Sequence, residues 1–306
     1  MICVECNEPT DSLYVKYTND YIKLTDCSRC SKVADKYIEF DNVILFIDTL
    51  LLKPQAYRHI VFNFMSQEQY DANEKDQSQS LSSLKSWFEE NKKVNRIRLL
   101  MILFEIYLTW AYEEKNYINS NEYKNPYLII NTILTKPATV QYLFFSVKCI
   151  LDDLITHTLV PIWIFNVIQW KPKGYTQSDL EKKAYYEMAL SLTILLSGST
   201  KLFPILMLIW PYNNITITNI ISSLADLNLI EALKIVTGCS SIQAIFLFVT
   251  NTILKFIITR GILICLLSNG NMNVATKFAN NEYMNLVQKV WSWKEIIVQR
   301  YGDLTL

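Results

Sequence analysis

The chain has 306 residues, and 19% of them are charged, below the roughly 25% that is usual in soluble proteins. Hydrophobic residues make up 51% and concentrate after residue 96, whereas the 29 basic and 29 acidic residues cancel to a net charge of zero. This composition favours a membrane protein. It excludes the strongly basic balance that is typical of nucleic-acid-binding proteins, so we expect no nucleic-acid partner.

Four cysteines at the amino end form the pattern C-x2-C-x20-C-x2-C; they are Cys3, Cys6, Cys27 and Cys30. Four thiolates suit a tetrahedral zinc ion, and a site closed by four protein ligands is typically structural. Two short strands are predicted at 13–17 and 21–24, so residues 1–34 predict a zinc ribbon. The alternative is two disulfides. The first residues lack the features of a signal peptide, so we expect a reducing cytosolic location, which favours metal.

Residues 35–64 predict a second, amphipathic helical unit. Its apolar run Val43–Leu52 predicts a helix with Asp41 as N-cap, ended by Pro54. Ten residues cannot cross a bilayer, which needs about 20, so the helix either packs on the ribbon or lies at the cytosolic membrane surface. The residues that follow are candidates for contact with lipid headgroups, namely Lys53, Tyr57, Arg58 and His59.

Residues 65–95 are mostly polar and predict a linker to a membrane domain at 96–306. Four apolar stretches of that domain predict spans, at 97–112, 140–170, 184–210 and 241–267. A fifth stretch, 215–236, contains more charged residues and predicts an interfacial or re-entrant helix.

The basic residues of the connections predict the orientation of the spans. They concentrate at 84–98, at 171–183 and after 268, whereas 113–139 and 212–240 contain fewer. Cytosolic segments of membrane proteins carry an excess of lysine and arginine. The sequence therefore predicts four spans, with both termini cytosolic, a cytosolic tail, and 113–139 and 212–240 lumenal.

Charged residues lie inside the predicted span 140–170. Lys148 and Asp152 are four residues apart, as are Asp153 and His157, so each pair lies on one helical face. Ionisable groups in a membrane are functional candidates because their burial is costly, and we take Asp153 and His157 as candidates for lipid contact. The alternative is that both pairs are structural.

Two basic residues, Lys255 and Arg260, lie in the last predicted span without an acidic neighbour in sequence. We expect Glu105 or Asp152 to pair with them across the bundle. Otherwise Arg260 would extend its guanidinium to the interface.

The first 64 residues resemble the Arv family of endoplasmic reticulum membrane proteins of lipid homeostasis. The resemblance rests on the paired cysteines and on the sequences Asp35–Glu39, Asn42–Asp48, Leu51–Lys53 and Ala56–His59. It implies that the protein moves or distributes sterol and acts in sphingolipid balance and glycosylphosphatidylinositol-anchor synthesis. The implied partners are membrane lipids, including sterol, and enzymes of anchor synthesis. The implied location is the endoplasmic reticulum, with the Golgi as a second site.

We therefore expect a membrane α-helical bundle with a small amino-terminal zinc-ribbon domain of β structure. Its expected function is non-enzymatic, as a lipid transporter or scaffold, with zinc as a structural cofactor. The alternative is an accessory or catalytic subunit of a membrane transferase that modifies lipids. In that case His157 beside Asp153 would be the candidate catalytic group, and His157→Gln would abolish activity.

Overall fold

The computed structural model describes residues 1–17, 21–64, 92–119, 128–170, 180–202, 215–268, 270–285 and 287. The described chain is mostly helical, with a small two-stranded sheet at its amino end. Strands β1 (Tyr14–Lys16) and β2 (Ile22–Leu24) pair antiparallel, with Tyr14 opposite Leu24. The predicted hairpin is confirmed, and its turn at 18–20 lies outside the described residues.

The helices follow in chain order: α1 (Asn42–Leu50), α2 (Pro54–Arg58), α3 (Lys92–Asn119), α4 (Ile129–Leu134), α5 (Ala138–Asn166), α6 (Leu180–Gly198), α7 (Ile215–Thr237), α8 (Ser241–Ser268) and α9 (272–285). Helix α2 continues into a π-helical segment, His59–Phe64. Short 3-10 turns lie at Lys36–Ile38 and Ser199–Leu202.

The predicted apolar helix at Val43–Leu52 is confirmed as α1. Asp41 precedes it with an extended backbone, although its side chain makes no capping hydrogen bond. Leu52 ends this segment with a φ of 55°, a left-handed conformation. Pro54 then begins α2 at the first helical position, where a missing N–H costs nothing.

The chain divides into two compact units. The first comprises Met1–Ile102 and Ile155–Thr252, and the second comprises Leu103–Leu154 and Ile253–Leu306. Helices α3, α5 and α8 each carry the chain from one unit to the other. The predicted domain boundaries at 34, 64 and 95 stay predictions.

In the first unit, the ribbon and its helices share a core with later helices. Helices α6 and α7 pack closely together, α2 packs against α7, and the π-helical segment packs against α6. Val61 and Phe62 lie among buried residues of α6 and α7, which are Ala189, Leu192, Leu195 and Val236. Residues 59–64 are therefore held by the ribbon on one side and by α6 on the other.

In the second unit, polar side chains connect helices that are distant in sequence. The Trp110 indole N–H donates to Oε1 of Gln141 at 2.9 Å. Arg260 forms an ion pair with Glu282 of α9 at 3.0 Å, and the other oxygen of Glu282 accepts from the backbone N–H of Ile129 at 3.1 Å. The prediction that Glu105 or Asp152 pairs with Arg260 is therefore wrong, because a carboxylate beyond the last predicted span does so.

The Glu282 contacts also affect the predicted topology. Ile129 belongs to a segment that was predicted to be lumenal, and Glu282 to a tail that was predicted to be cytosolic. The structure places Glu282 and Ile129 in direct contact, and the sides of the membrane on which the two segments lie stay a prediction.

One described helix, α8, is long and apolar enough to cross a membrane. The predicted spans 97–112 and 140–170 correspond largely to α3 and α5. The span 184–210 corresponds to α6 and to residues 203–210, which lie outside the described part of the chain. The number of membrane crossings stays a prediction.

Candidate metal centre

The four amino-terminal cysteines lie together, and their sulfur atoms are all within 4.8 Å of one another. The Sγ atoms of Cys3 and Cys30 are 3.8 Å apart, and those of Cys6 and Cys27 are 3.6 Å apart. Four sulfurs at the ~2.3 Å bond length of tetrahedral zinc lie roughly 3.8 Å from one another. Disulfide sulfurs would be about 2.05 Å apart. The cluster can hold a metal ion, and its geometry is consistent with zinc.

The two C-x2-C pairs have the same backbone turn. Each turn closes when a later N–H donates to the first cysteine's carbonyl, from Asn7 to Cys3 at 3.0 Å and from Ser31 to Cys27 at 2.9 Å. Asn7 and Ser31 both have positive φ, at 63° and 54°. This repeated turn brings the two sulfurs of each pair to the same side, where they can bind one ion.

The thiols differ in acidity. Burial raises the pKa of Cys3 to about 12. Hydrogen bonds from the backbone N–H groups of Cys30 and Arg29 lower the pKa of Cys27 to about 7. Because a thiolate is the metal ligand, Cys27 is the first cysteine ready to bind at neutral pH. Acid protonates the thiolates, so metal affinity falls as the pH decreases.

A buried polar network joins the ribbon to residues 59–63. Asp35 is fully buried; its Oδ2 lies 2.7 Å from Nδ1 of His59 and accepts from the Asn63 amide at 2.6 Å. Asn63 also accepts from the N–H of Ile2 at 2.8 Å and donates to its carbonyl at 2.9 Å. Because Ile2 precedes Cys3, this network fixes the start of the first cysteine turn.

Arg58 contacts the same turn. Its Nη1 donates to the carbonyls of Val4 at 2.9 Å and Glu5 at 3.0 Å, the two residues between Cys3 and Cys6. The guanidinium therefore satisfies backbone acceptors in the first turn of the metal cluster.

These contacts correct part of the prediction of lipid contact. Tyr57 is 2% exposed and packs against Ala232 and Ile235, and His59 is buried beside Asp35. Arg58 is half-buried on the ribbon. These three residues are structural, because α2 lies between the ribbon and α7. Only Lys53 of this group is exposed, and it forms an ion pair with Asp48 at 2.7 Å.

The Asn63→Ala substitution tests the role of this network in holding the metal. It removes three hydrogen bonds and leaves Asp35 less well paired, so we expect local stability to fall by about 2 kcal/mol. Transfer of zinc from the full-length protein to a chelator should become about 30-fold faster. Gln55→Ala is the control, since Gln55 makes only a 3.4 Å hydrogen bond to Glu5. Equal transfer rates for the two variants would contradict the assigned role.

Helix α1 buries polar side chains and exposes apolar ones, the opposite of an ordinary surface helix. Its two buried residues are the polar Asp48 and Thr49. Asp48 accepts from the Tyr37 hydroxyl at 2.9 Å, and the ion pair with Lys53 lowers the pKa of Asp48. The large apolar side chains in and beside α1 are instead 41–64% exposed; they are Phe40, Val43, Ile44, Phe46, Ile47 and Leu51. We call these six residues the apolar face of α1.

The two candidates in α5 lie in different units. Asp153 is in the second unit, whereas His157 is in the first, where it lines a cavity of about 390 Å³ with residues of α3 and α6. Both are half-buried and have interacting partners. Sequence reasoning missed the roles of Asp35, Asn63 and Asp48, because no motif marks a buried carboxylate or amide.

Comparison with known proteins adds independent information. The model of the Arv1-like family matches residues 2–233. Protein ARV1 of Saccharomyces cerevisiae is 39% identical over 323 residues, covering 94% of this chain and 98% of that protein. Protein ARV1 of Eremothecium gossypii is 40% identical, covering 92% and 95%. Protein ARV1 of Candida albicans is 38% identical, covering 86% and 89%. No solved structure matches the chain.

Proposed function

This chain belongs to the Arv1-like family, and from that premise we propose that it is an endoplasmic reticulum membrane protein that distributes sterol between membranes, as a transporter or scaffold. The family supports a role in sterol and lipid homeostasis in general. We extend the proposal to sphingolipid balance and to anchor synthesis, with enzymes of that synthesis as partners and the Golgi as a second location.

The observation that carries the proposal is the apolar face of α1. The six side chains of this face are exposed in a chain that also contains the membrane-crossing candidate α8. Contiguous exposed apolar surface of this kind marks an interaction site. We propose that the face enters the interfacial layer of the bilayer, with Lys53 at its edge beside lipid phosphates.

Lipid quenching tests this placement. An environment-sensitive fluorescent amino acid replaces Ile47 in proteoliposomes that contain brominated lipids. We expect strong quenching there and little at Val15, which is similarly exposed but lies in β1. Adding Phe46→Glu should weaken insertion by about 2 kcal/mol and reduce quenching at position 47. Equal quenching at positions 15 and 47 would exclude insertion of α1.

Sterol movement is measured with the purified chain and two liposome populations. The wild-type protein should accelerate transfer of a labelled sterol between them, and a variant without the metal cluster should not. Absence of acceleration by the folded protein would leave the scaffold role and exclude transport.

The alternative function is a subunit of a lipid-modifying transferase. His157 supports it, because this residue lines a cavity together with Glu187. His157→Gln separates the two functions: a transferase should lose its activity, whereas a transporter or scaffold should tolerate the change.

The proposed topology places the ribbon in the cytosol and the carboxyl end in the lumen. The hydrogen bond between Glu282 and Ile129 supports the proposal that α9 and residues 128–134 both lie on the lumenal side of the membrane.

A further inference from the structure

The cavity beside His157 lies wholly within the first unit. Its walls come from the first turns of α3, the last third of α5 and the middle of α6. Its volume of about 390 Å³ lies within the ~300–1,000 Å³ range of small-molecule sites.

The cavity combines opposite charges with an apolar wall. Arg98 and Glu187 both line it, and Phe165, Met188 and Leu195 supply apolar surface. Both charges already have partners in the folded chain, so a ligand that displaces those partners must offer an equivalent partner to each charge. A zwitterionic ligand with an apolar part matches both charges and the wall.

We propose that this cavity binds the headgroup of a zwitterionic phospholipid that carries a primary amine. The phosphate lies against Arg98, because a guanidinium can donate two parallel hydrogen bonds to phosphate oxygens. The ammonium lies against Glu187. The acyl chains leave past Ile162, an apolar lining residue that is 52% exposed. Arg98 and Glu187 already have partners in the folded chain, so the lipid exchanges interactions with them.

The position of the cavity agrees with such a ligand. Arg98 ends the basic segment 84–98, which the proposed topology places at the cytosolic surface, where headgroups lie. Val94, Met188 and Leu195 line the cavity and also pack around Val61 and Phe62, the end of the ribbon-bound segment. The ribbon therefore supports one wall of the cavity.

Native mass spectrometry of the detergent-purified, full-length protein tests the inference, which rests on the proposed role at a lipid membrane. The probes are dioleoyl phosphatidylethanolamine, dioleoyl phosphatidate and ergosterol. We expect the wild-type protein to retain the ethanolamine lipid in preference to the other two. Arg98→Gln should lower retention of both phosphate-bearing lipids about tenfold. Glu187→Gln should lower the retention of the ethanolamine lipid alone, so this variant should no longer prefer that lipid to phosphatidate.

The controls are Glu231→Gln and Lys234→Gln, an exposed ion pair in the same unit that does not line the cavity. Retention of the ethanolamine lipid by the cavity variants at the control level would overturn the proposal, as would equal retention of ergosterol by the wild-type protein. If the charge variants fail to fold, Ser191→Phe narrows the cavity without changing its charge. Unchanged retention by that variant would also overturn the proposal. Sterol transfer between liposomes is a separate measurement, so its failure does not affect this result.

Discussion

Replacing Cys27 by serine is expected to remove zinc from the protein and unfold its amino-terminal ribbon. The pKa of Cys27 is lowered to about 7, so its replacement removes the thiol that most readily forms a metal-binding thiolate at neutral pH. Structural zinc supplies about 10–16 kcal/mol in small metal domains, more than the two short strands can replace. We expect zinc content to fall from about one ion per chain to less than a tenth.

The control for this substitution is Cys265→Ser, because Cys265 is exposed in α8 and far from the cluster in sequence. Zinc is measured by elemental analysis of the purified full-length chain, and ribbon folding by limited proteolysis within residues 1–64. Loss of zinc without new cleavage would separate metal binding from folding. Full zinc content in the Cys27→Ser variant would exclude this cluster as the metal site.

The second large effect concerns the carboxyl end. A glycosylation acceptor added after residue 306 should be modified in the endoplasmic reticulum, because Glu282 contacts Ile129, which belongs to the predicted lumenal segment 113–139. An acceptor inserted at 120–127 should also be modified, and one at 84–90 should not. The distribution of lysine and arginine predicted the opposite for the tail, and this experiment decides between that statistical rule and the contact of Glu282 with Ile129.

If the acceptor after residue 306 stays unmodified while the one at 120–127 is modified, the result would support the predicted cytosolic location of the tail. It would also require that α9 does not contact Ile129. Modification of the acceptor at 84–90 would instead place the ribbon in the lumen and contradict the proposed orientation of every helix.

Local patterns predicted the local structure of the ribbon. The cysteine spacing predicted the cluster, and the residues flanking 18–20 predicted the hairpin, because both depend on neighbours in sequence. The helix at Val43–Leu52 was also predictable from its apolar run and Pro54. Its orientation was not, because a run that is apolar on nearly all sides does not indicate which side is buried. Asp48 and Thr49 interrupt the apolar run in the sequence, and in the structure they are the buried residues of α1, with Asp48 bound to Tyr37 and Lys53.

The errors concern partners that are distant in sequence. Tyr57, Arg58 and His59 have the composition of a headgroup-binding segment, and only the folded chain brings them against Asp35, Val4 and Ala232. Similarly, nothing near Arg260 in sequence indicates that Glu282 will pair with it. Membrane charge patterns predicted that such a residue needs a partner but did not identify the partner.

The hydrogen bonds that Arg58, His59 and Asn63 make to the ribbon have a consequence for biosynthesis. The cysteines and the hairpin leave the ribosome first, yet Ile2, Val4 and Asp35 receive their buried partners only when residues 58–63 emerge. Until then the thiols compete for metal without this support. The nascent ribbon can therefore complete these contacts only after Asn63 has been synthesised. A shortage of metal at that stage would leave the ribbon incompletely folded while the rest of the chain is synthesised.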